Sequence, residues 1–196
     1  DLSKNRYQLV KAILNKNPSC RLFAVGDDWQ SIYRFTGSDL NLVYNFANNF
    51  QRYTRKSLIE TTHRFGKPTT YISSNFVQAN PAQSHKKVFC SNKDKKTPIN
   101  IVMNDEGIRA NDSSGFTRAI IQLISEIGFE KLAQKELQII SRYNHDIARL
   151  KAENITINGD KVTWINDKNN SQVLNFEFCS MHKSKGITRD IVFVLN

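Results

Sequence analysis

Short apolar runs alternating with amphipathic stretches limit the fold of this chain more than any other feature. Residues 20–25, 57–62, 99–103, 137–141, 155–165, 173–179 and 191–195 are apolar or alternating, with no helical period. Between them, apolar residues recur every three or four positions. Tyr7, Val10, Ile13 and Leu14 form one such face, Val43, Phe46, Ala47 and Phe50 a second, and Ile72, Phe76 and Ala79 a third. Phe116, Ile120, Leu123, Ile124 and Ile127 form a longer fourth. Helix ends are marked as well. Ser3 can cap the first helix and Asn17-Pro18 stops it; Ser38 or Asp39 can cap the second. Pro68 suits the first turn of the third, which Asn80-Pro81 ends. Ser113 or Ser114 opens the fourth, and Asn144 a short helix carrying Ile147 and Leu150. Strands alternating with helices predict an α/β fold with a mostly parallel, doubly wound sheet.

Three stretches carry residue mixtures that no core needs. Gly26-Asp27-Asp28-Trp29-Gln30-Ser31-Ile32-Tyr33-Arg34-Phe35-Thr36-Gly37 follows the run at 20–25, so it is expected where a strand gives way to a loop. Ligands of open α/β sheets bind at such carboxyl ends. Gln30 can hydrogen-bond a phosphate oxygen or an attacking water. Tyr33 and Phe35 offer flat faces on which any base can stack, with Arg34 between them. His63-Arg64-Phe65-Gly66 follows the run at 57–62. The planar, always charged fork of Arg64 suits the charge spread over a phosphoryl-transfer transition state. Phe178-Cys179-Ser180-Met181-His182-Lys183-Ser184-Lys185-Gly186 ends a third run. Lys183 and Lys185 can serve phosphates, Ser180, His182 and Ser184 can make short polar contacts, and Gly186 lets a backbone come close.

Charge agrees with a polyanionic partner. Lysine and arginine number 28 against 18 acids, a formal charge of +10. Charge alone fits a nucleic-acid partner or a lysine-rich solvated surface equally well. Cys20, Cys90 and Cys179 are far apart and odd in number, which argues against a disulfide framework or a zinc site. Buried thiols in a reducing cytosol are the simple reading, so a cytoplasmic protein is expected. His182 has no second ligand at zinc spacing, and no metal site is expected. No apolar run reaches membrane-spanning length and no signal peptide precedes the first helix. Residues 82–98 are lysine-rich without period and read as a solvated connection, and residues 51–56 as a basic crossing between domains. The chain starts at Asp1 without methionine and stops on an apolar run that reads as a buried parallel strand, so a piece of a longer protein is expected.

In this order, the three stretches resemble the third, fourth and fifth motifs of the UvrD/Rep-type superfamily 1 DNA helicases. The first matches a Gly-Asp-Asp-x-Gln-Ser-Ile-Tyr-x-aromatic-x-Gly pattern. Its Asp-Asp-Trp-Gln and Tyr-Arg-Phe versions resemble the helicase IV side of that family. So does the short spacing between the fourth and fifth motifs, which leaves no room for a large inserted subdomain. The resemblance implies RecA-like motor domains: residues 1–52 as the end of the first, and 53–196 as the second, truncated at its C-terminal end. It implies catalytic roles for Gln30 and Arg64, both facing the γ-phosphate, and further nucleotide contacts from His63, Lys185 and Gly186. It implies DNA contacts from Tyr33, Arg34, Phe35, Ser180, His182, Lys183 and Ser184. His63 replaces the usual tyrosine, and Thr188 stands where many relatives carry a glutamate, so that role is not transferred.

The activity so implied is an ATP-dependent DNA helicase, moving 3′ to 5′ in repair, recombination or replication. Its partners are single-stranded or partly unwound DNA, with ATP and Mg²⁺ bound by the full-length parent. The 196 residues contain no Gly-x-x-x-x-Gly-Lys-Ser/Thr loop, and of the acidic magnesium motif only Asp1 has a counterpart. The chain by itself is therefore expected to bind neither and to turn over no ATP. The alternative is a non-catalytic single-strand-binding or regulatory module that keeps a helicase-like fold.

Overall fold

A computed structural model describes residues 2–32, 34–81, 83–91, 98–102, 112–166 and 172–195. The chain forms two units, Asp1–Ile99 and Asn100–Asn196. Within the first unit, Ser84 and Lys86 lie against the loop that carries Asp27 and Asp28.

In the first unit, α1 (Lys4–Lys16) starts as expected, with Ser3 Oγ accepting from the Arg6 N–H at 3.5 Å. Of its apolar face only Leu14 is fully buried. Tyr7 packs edge-on against Phe50, centroids 5.2 Å apart, and donates its hydroxyl to the Asn49 carbonyl at 2.8 Å. The second helical stretch is broken at Asn45 into α2 (Asn41–Tyr44) and α3 (Phe46–Phe50), burying Leu42 and Phe50 rather than Val43 and Ala47. Gln51, at φ 52°, ends it in the left-handed region. Arg52 does not simply cross between domains. Its guanidinium donates to the carbonyls of Leu14 at 2.9 Å, Cys20 at 2.8 Å and Pro18 at 3.2 Å, satisfying the end of α1.

Several expected strands do not form among the described residues of 20–102. Residues 20–25 have no regular secondary structure and pair in no ladder with another described segment, and Phe23 is 90% exposed. Of residues 57–62 only β1 (Thr61–Thr62) pairs, in parallel with β2 (Phe89–Cys90), and Ile59 is 88% exposed. Residues 99–102 form no strand, and Met103 lies outside the described residues. An apolar run permits a strand, but only a partner ladder makes one. Next comes α4 (Lys67–Gln78), with Pro68 in its first turn and Thr70 Oγ1 donating to the Gly66 carbonyl at 2.9 Å. Its expected buried face is the wrong one: Phe76 is 81% exposed and Ile72 is exposed too, while Thr70 is buried.

The second unit is built on a five-stranded sheet in the order β4 (Ile155–Asn158), β5 (Lys161–Ile165), β6 (Val173–Ser180), β3 (Leu137–Ser141), β7 (Ile191–Val194). β3 pairs in parallel with both β6 and β7, while β4–β5 and β5–β6 are antiparallel. The sheet is thus mixed rather than mostly parallel. The cause is local: the run at 155–165 is two strands, turned at Gly159-Asp160, with Gly159 at φ 60°. The fold is α/β in class, and the helices α5 (Asp112–Ile127) and α6 (Phe129–Ala133) precede β3, with Gly128 at φ 83° between them.

The core of this unit follows the predicted faces closely. Phe116 and Ile120 from α5 and Leu132 from α6 pack with Leu137, Ile139, Val162, Trp164, Leu174, Phe176 and Phe178 of the sheet, and with Leu150. The Asn144–Leu150 stretch is a 3-10 helix. Phe116, Phe176 and Phe193 meet edge to face at 5.1–5.5 Å. β7 corrects one expectation. It is an edge strand, with Ile191 and Phe193 toward the core and Val192 and Val194 exposed.

Candidate nucleotide and nucleic-acid sites

The loop at 26–37 is built from two short 3-10 turns, Asp28–Gln30 and Arg34–Thr36. Asp27 caps the first, its carboxylate accepting from the Trp29 N–H at 3.2 Å. The same carboxylate accepts from Gln30 Nε2 at 2.7 Å and pairs with Lys86 Nζ at 2.8 Å. Gly37, at φ 86°, ends the second turn in a conformation that favours glycine.

Asp28 is the buried hub of this loop, 7% exposed. Its carboxylate takes the Lys86 ammonium, the Ser84 hydroxyl, and the Tyr44 hydroxyl at 2.9 Å. Trp29 covers the group, its indole N–H donating to the Ser84 carbonyl at 2.9 Å and its ring lying 5.3 Å from Lys86 Nζ. Burial pushes the Asp28 carboxyl up, but the donors Lys86, Ser84 and Tyr44 outweigh it and hold the group far below the usual carboxylate range. Asp27 is lowered by the same balance, burial against Lys86 and Gln30. Lys86 is raised, because its two carboxylates outweigh burial.

Asp28→Asn is expected to lower the stability of the first unit by about 2–3 kcal/mol, since it leaves a half-buried ammonium and two hydroxyls short of a partner. The pH dependence has a definite sign. A depressed carboxyl contributes stability that is complete above its unfolded value near 4 and drains away as pH falls toward the folded one. The wild-type thermal midpoint should therefore drop below about pH 5, and the Asn variant should show a flatter curve. A midpoint unchanged by the substitution at pH 7 would refute the hub.

Sequence reasoning singled out neither Lys86 nor Ser84 nor Tyr44. Lys86 is 59 residues from Asp27, and spacing carries no signal at that range. The one available hint was chemical: two adjacent acids with no basic residue beside them in the loop. Residues 83–91 of the connection expected at 82–98 are consequently no plain solvated linker; 82 and 92–97 lie outside the described residues. Around the hub, Gln30 and Arg34 are exposed and Phe35 is 73% exposed. Tyr33 lies outside the described residues. His63 and Arg64 are exposed on the bend between β1 and α4, where the Arg64 N–H donates to Thr62 Oγ1 at 3.3 Å.

In the second unit, the loop at 180–186 leaves the carboxyl end of β6 beside that of β3, with Ser180 paired to Ser141. The Met181 N–H donates to the Ser141 carbonyl at 2.9 Å. The loop closes on itself through Ser184 N–H to the Ser180 carbonyl at 3.0 Å and Ser184 Oγ to the Met181 carbonyl at 2.8 Å. Gly186, at φ 85°, completes it. Ser180 is buried, Ser184 and Lys185 half-buried, and His182 and Lys183 exposed, with Lys183 Nζ 3.8 Å from Asp160.

Beside this loop, Ser141 Oγ and, at 2.9 Å, the Tyr143 N–H donate to the buried Asp146 carboxylate. The two bonds lower its pKa. Tyr143 and His145 stack at 5.2 Å, and the Arg142 guanidinium lies 5.3 Å from the Tyr143 ring. The sequence reading gave this stretch no role. Among the described residues, no group of three or more His, Cys, Asp or Glu is placed to hold a metal ion, and no helix is long and apolar enough to cross a membrane.

The family model described as the UvrD/REP helicase N-terminal domain matches residues 1–51. Over 197 aligned positions, covering 100% of this chain, the sequence is 29% identical to DNA helicase IV of Escherichia coli K12, of which it covers 25%. Over 145 residues, 74% of the chain, it is 26% identical to a probable DNA helicase II homolog of Mycoplasma capricolum subsp. capricolum, covering 19% of that protein. The chain thus spans a quarter or less of the length of these relatives.

Proposed function

We propose, since the chain is related to the UvrD-type helicases, that it serves as part of an ATP-driven DNA helicase or translocase. In this reading the chain joins the end of one RecA-like, doubly wound motor domain (1–52) to a second (53–196). Gln30 and Arg64 act at the γ-phosphate, with His63, Lys185 and Gly186 as further nucleotide contacts. Tyr33, Arg34 and Phe35 face a single DNA strand, and Ser180, His182, Lys183 and Ser184 its backbone. The observation that carries the reading is the placement of the loop at 180–186. It opens at the carboxyl ends of two adjacent parallel strands, where α/β sheets bind their ligands.

ATP and Mg²⁺ would supply the phosphoryl chemistry. In this reading the residues of this chain contribute sensing and charge-stabilising groups. Movement 3′ to 5′, a role in repair, recombination or replication, and a cytoplasmic location belong to the same proposal. A second reading, a non-catalytic single-strand-binding or regulatory module, shares the DNA contacts; a phosphate loop encoded upstream would favour the motor and its absence there the module.

Fluorescence titration of the chain with a labelled oligonucleotide at two salt concentrations tests the shared element. Binding is expected to be weak and to fall steeply with salt. Phe35→Ala should weaken it about tenfold, the worth of one stacked base. Binding that ignores both salt and Phe35 would exclude either reading. Measurable DNA-stimulated ATP turnover by the full-length protein then separates motor from module.

A further inference from the structure

We propose that Lys86, acting through Asp27, is a positioning residue that sets the orientation of the Gln30 side-chain amide. The inference rests on the proposed role of Gln30 at the γ-phosphate and extends it to two residues with no assigned role. Gln30 is exposed and would otherwise sample many rotamers. Its Nε2 instead donates to Asp27 Oδ2 at 2.7 Å. A carboxylate only accepts, so this bond also settles which end of the amide faces it. The amide oxygen and one remaining N–H are thereby turned away from Asp27, available to a water or a phosphate oxygen.

Asp27 would be a poor anchor by itself. It is held by three contacts: the Gln30 amide, the Trp29 N–H at 3.2 Å, and Lys86 Nζ at 2.8 Å on the other oxygen. Lys86 is in turn fixed on three sides, by Asp27, by the buried Asp28 and by the Trp29 ring. One ammonium thus ties the cap of the 3-10 turn to its buried hub. A neutral residue at 86 leaves two adjacent carboxylates facing each other without a countercharge, and like charges so close repel. Asp27 would then swing toward water and release Gln30. A displacement of about 1 Å at a group that orients a reactant is enough to slow chemistry severely.

The arrangement also explains why a basic residue from the lysine-rich connection is needed beside the loop. It makes Lys86 the countercharge of two carboxylates.

The test has two arms. In the isotope-labelled chain, the Gln30 side-chain amide should give two well-separated proton signals with the order parameter of a fixed group. Lys86→Met and Asp27→Ala should both return them to the values of a mobile glutamine, whereas Lys86→Arg should retain them. The Trp29 indole signal, reporting its bond to Ser84, shows whether the loop stays folded. If Lys86→Met disturbs it, Asp27→Ala, which keeps the Lys86–Asp28 pair, decides. Gln30 signals unchanged in Asp27→Ala, or a Gln30 already mobile in the wild type, overturn the proposal. In the full-length protein, Lys86→Met should lower kcat for ATP about tenfold with less than a twofold change in KM, and Lys86→Arg should restore most of it. A loosened Gln30 with unchanged kcat would keep the positioning role but sink the assignment of Gln30 to the γ-phosphate.

Discussion

Arg64→Ala in the full-length protein is expected, on the role proposed for Arg64 at the γ-phosphate, to reduce DNA-stimulated ATP turnover by about 10³-fold or more, the usual cost of losing an arginine that meets a transferring phosphoryl group. The expectation follows from chemistry and placement together. A loose transition state puts negative charge on the equatorial oxygens, and a guanidinium meets it with fixed donors and no risk of deprotonation. Arg64 is exposed on the bend between β1 and α4, so its side chain is not part of a core. A thermal midpoint measured beside turnover separates lost chemistry from lost folding.

Arg64→Lys discriminates further. A lysine keeps the charge without the planar fork, so turnover should recover only in part. Single-strand affinity without nucleotide should be nearly unchanged in both variants. If the Ala variant retains wild-type kcat, Arg64 has no role at the phosphate, and the γ-phosphate assignment loses its strongest member.

Trp164→Ala is expected to destabilise the second unit by about 3–5 kcal/mol, enough to unfold a marginal domain. Trp164 is 1% exposed in β5, paired across to Ile155 on one side and Leu174 on the other. It belongs to the cluster that joins α5, α6 and the sheet. Truncation removes its apolar area and leaves a cavity whose walls, strands on two sides, cannot easily close.

The conservative variant should behave very differently. Among the described residues the buried indole N–H of Trp164 has no hydrogen-bond partner, and a donor so placed costs about 1–3 kcal/mol. Trp164→Phe removes that donor while keeping most of the ring volume. The two effects oppose each other, so its stability should lie within about 1 kcal/mol of wild type. Denaturant titration of the three proteins measures both differences. An alanine variant as stable as the wild type would show that the core is centred elsewhere.

Much of the second unit was legible in advance because its signals are local. Leu137–Ser141 emerges with the predicted bounds, and the long helix turns Phe116 and Ile120 inward as its period requires. The hairpin inside 155–165 was missed although Gly159-Asp160 marks it and the apolar alternation shifts phase there, from Ile155 and Ile157 to Val162 and Trp164. In the first unit the same logic fails. The run at 20–25 and most of 57–62 have the composition of strands but no ladder among the described residues, and Ile72 and Phe76 lie on the exposed side of α4.

What the amino-acid order determined by itself was chemistry and punctuation. It supplied the amide, the arginine, the aromatics and the basic loop in a helicase-like order, and the caps and breakers that start and stop helices such as α1 and α4. Capping and period act over a few residues, so a linear reading can see them. Tertiary structure alone decided which apolar runs found partners, that the sheet is mixed, and that Lys86 closes over Asp27 and Asp28. Those outcomes depend on pairing and charge compensation between segments tens of residues apart, and nothing in local spacing encodes which distant partner will be there.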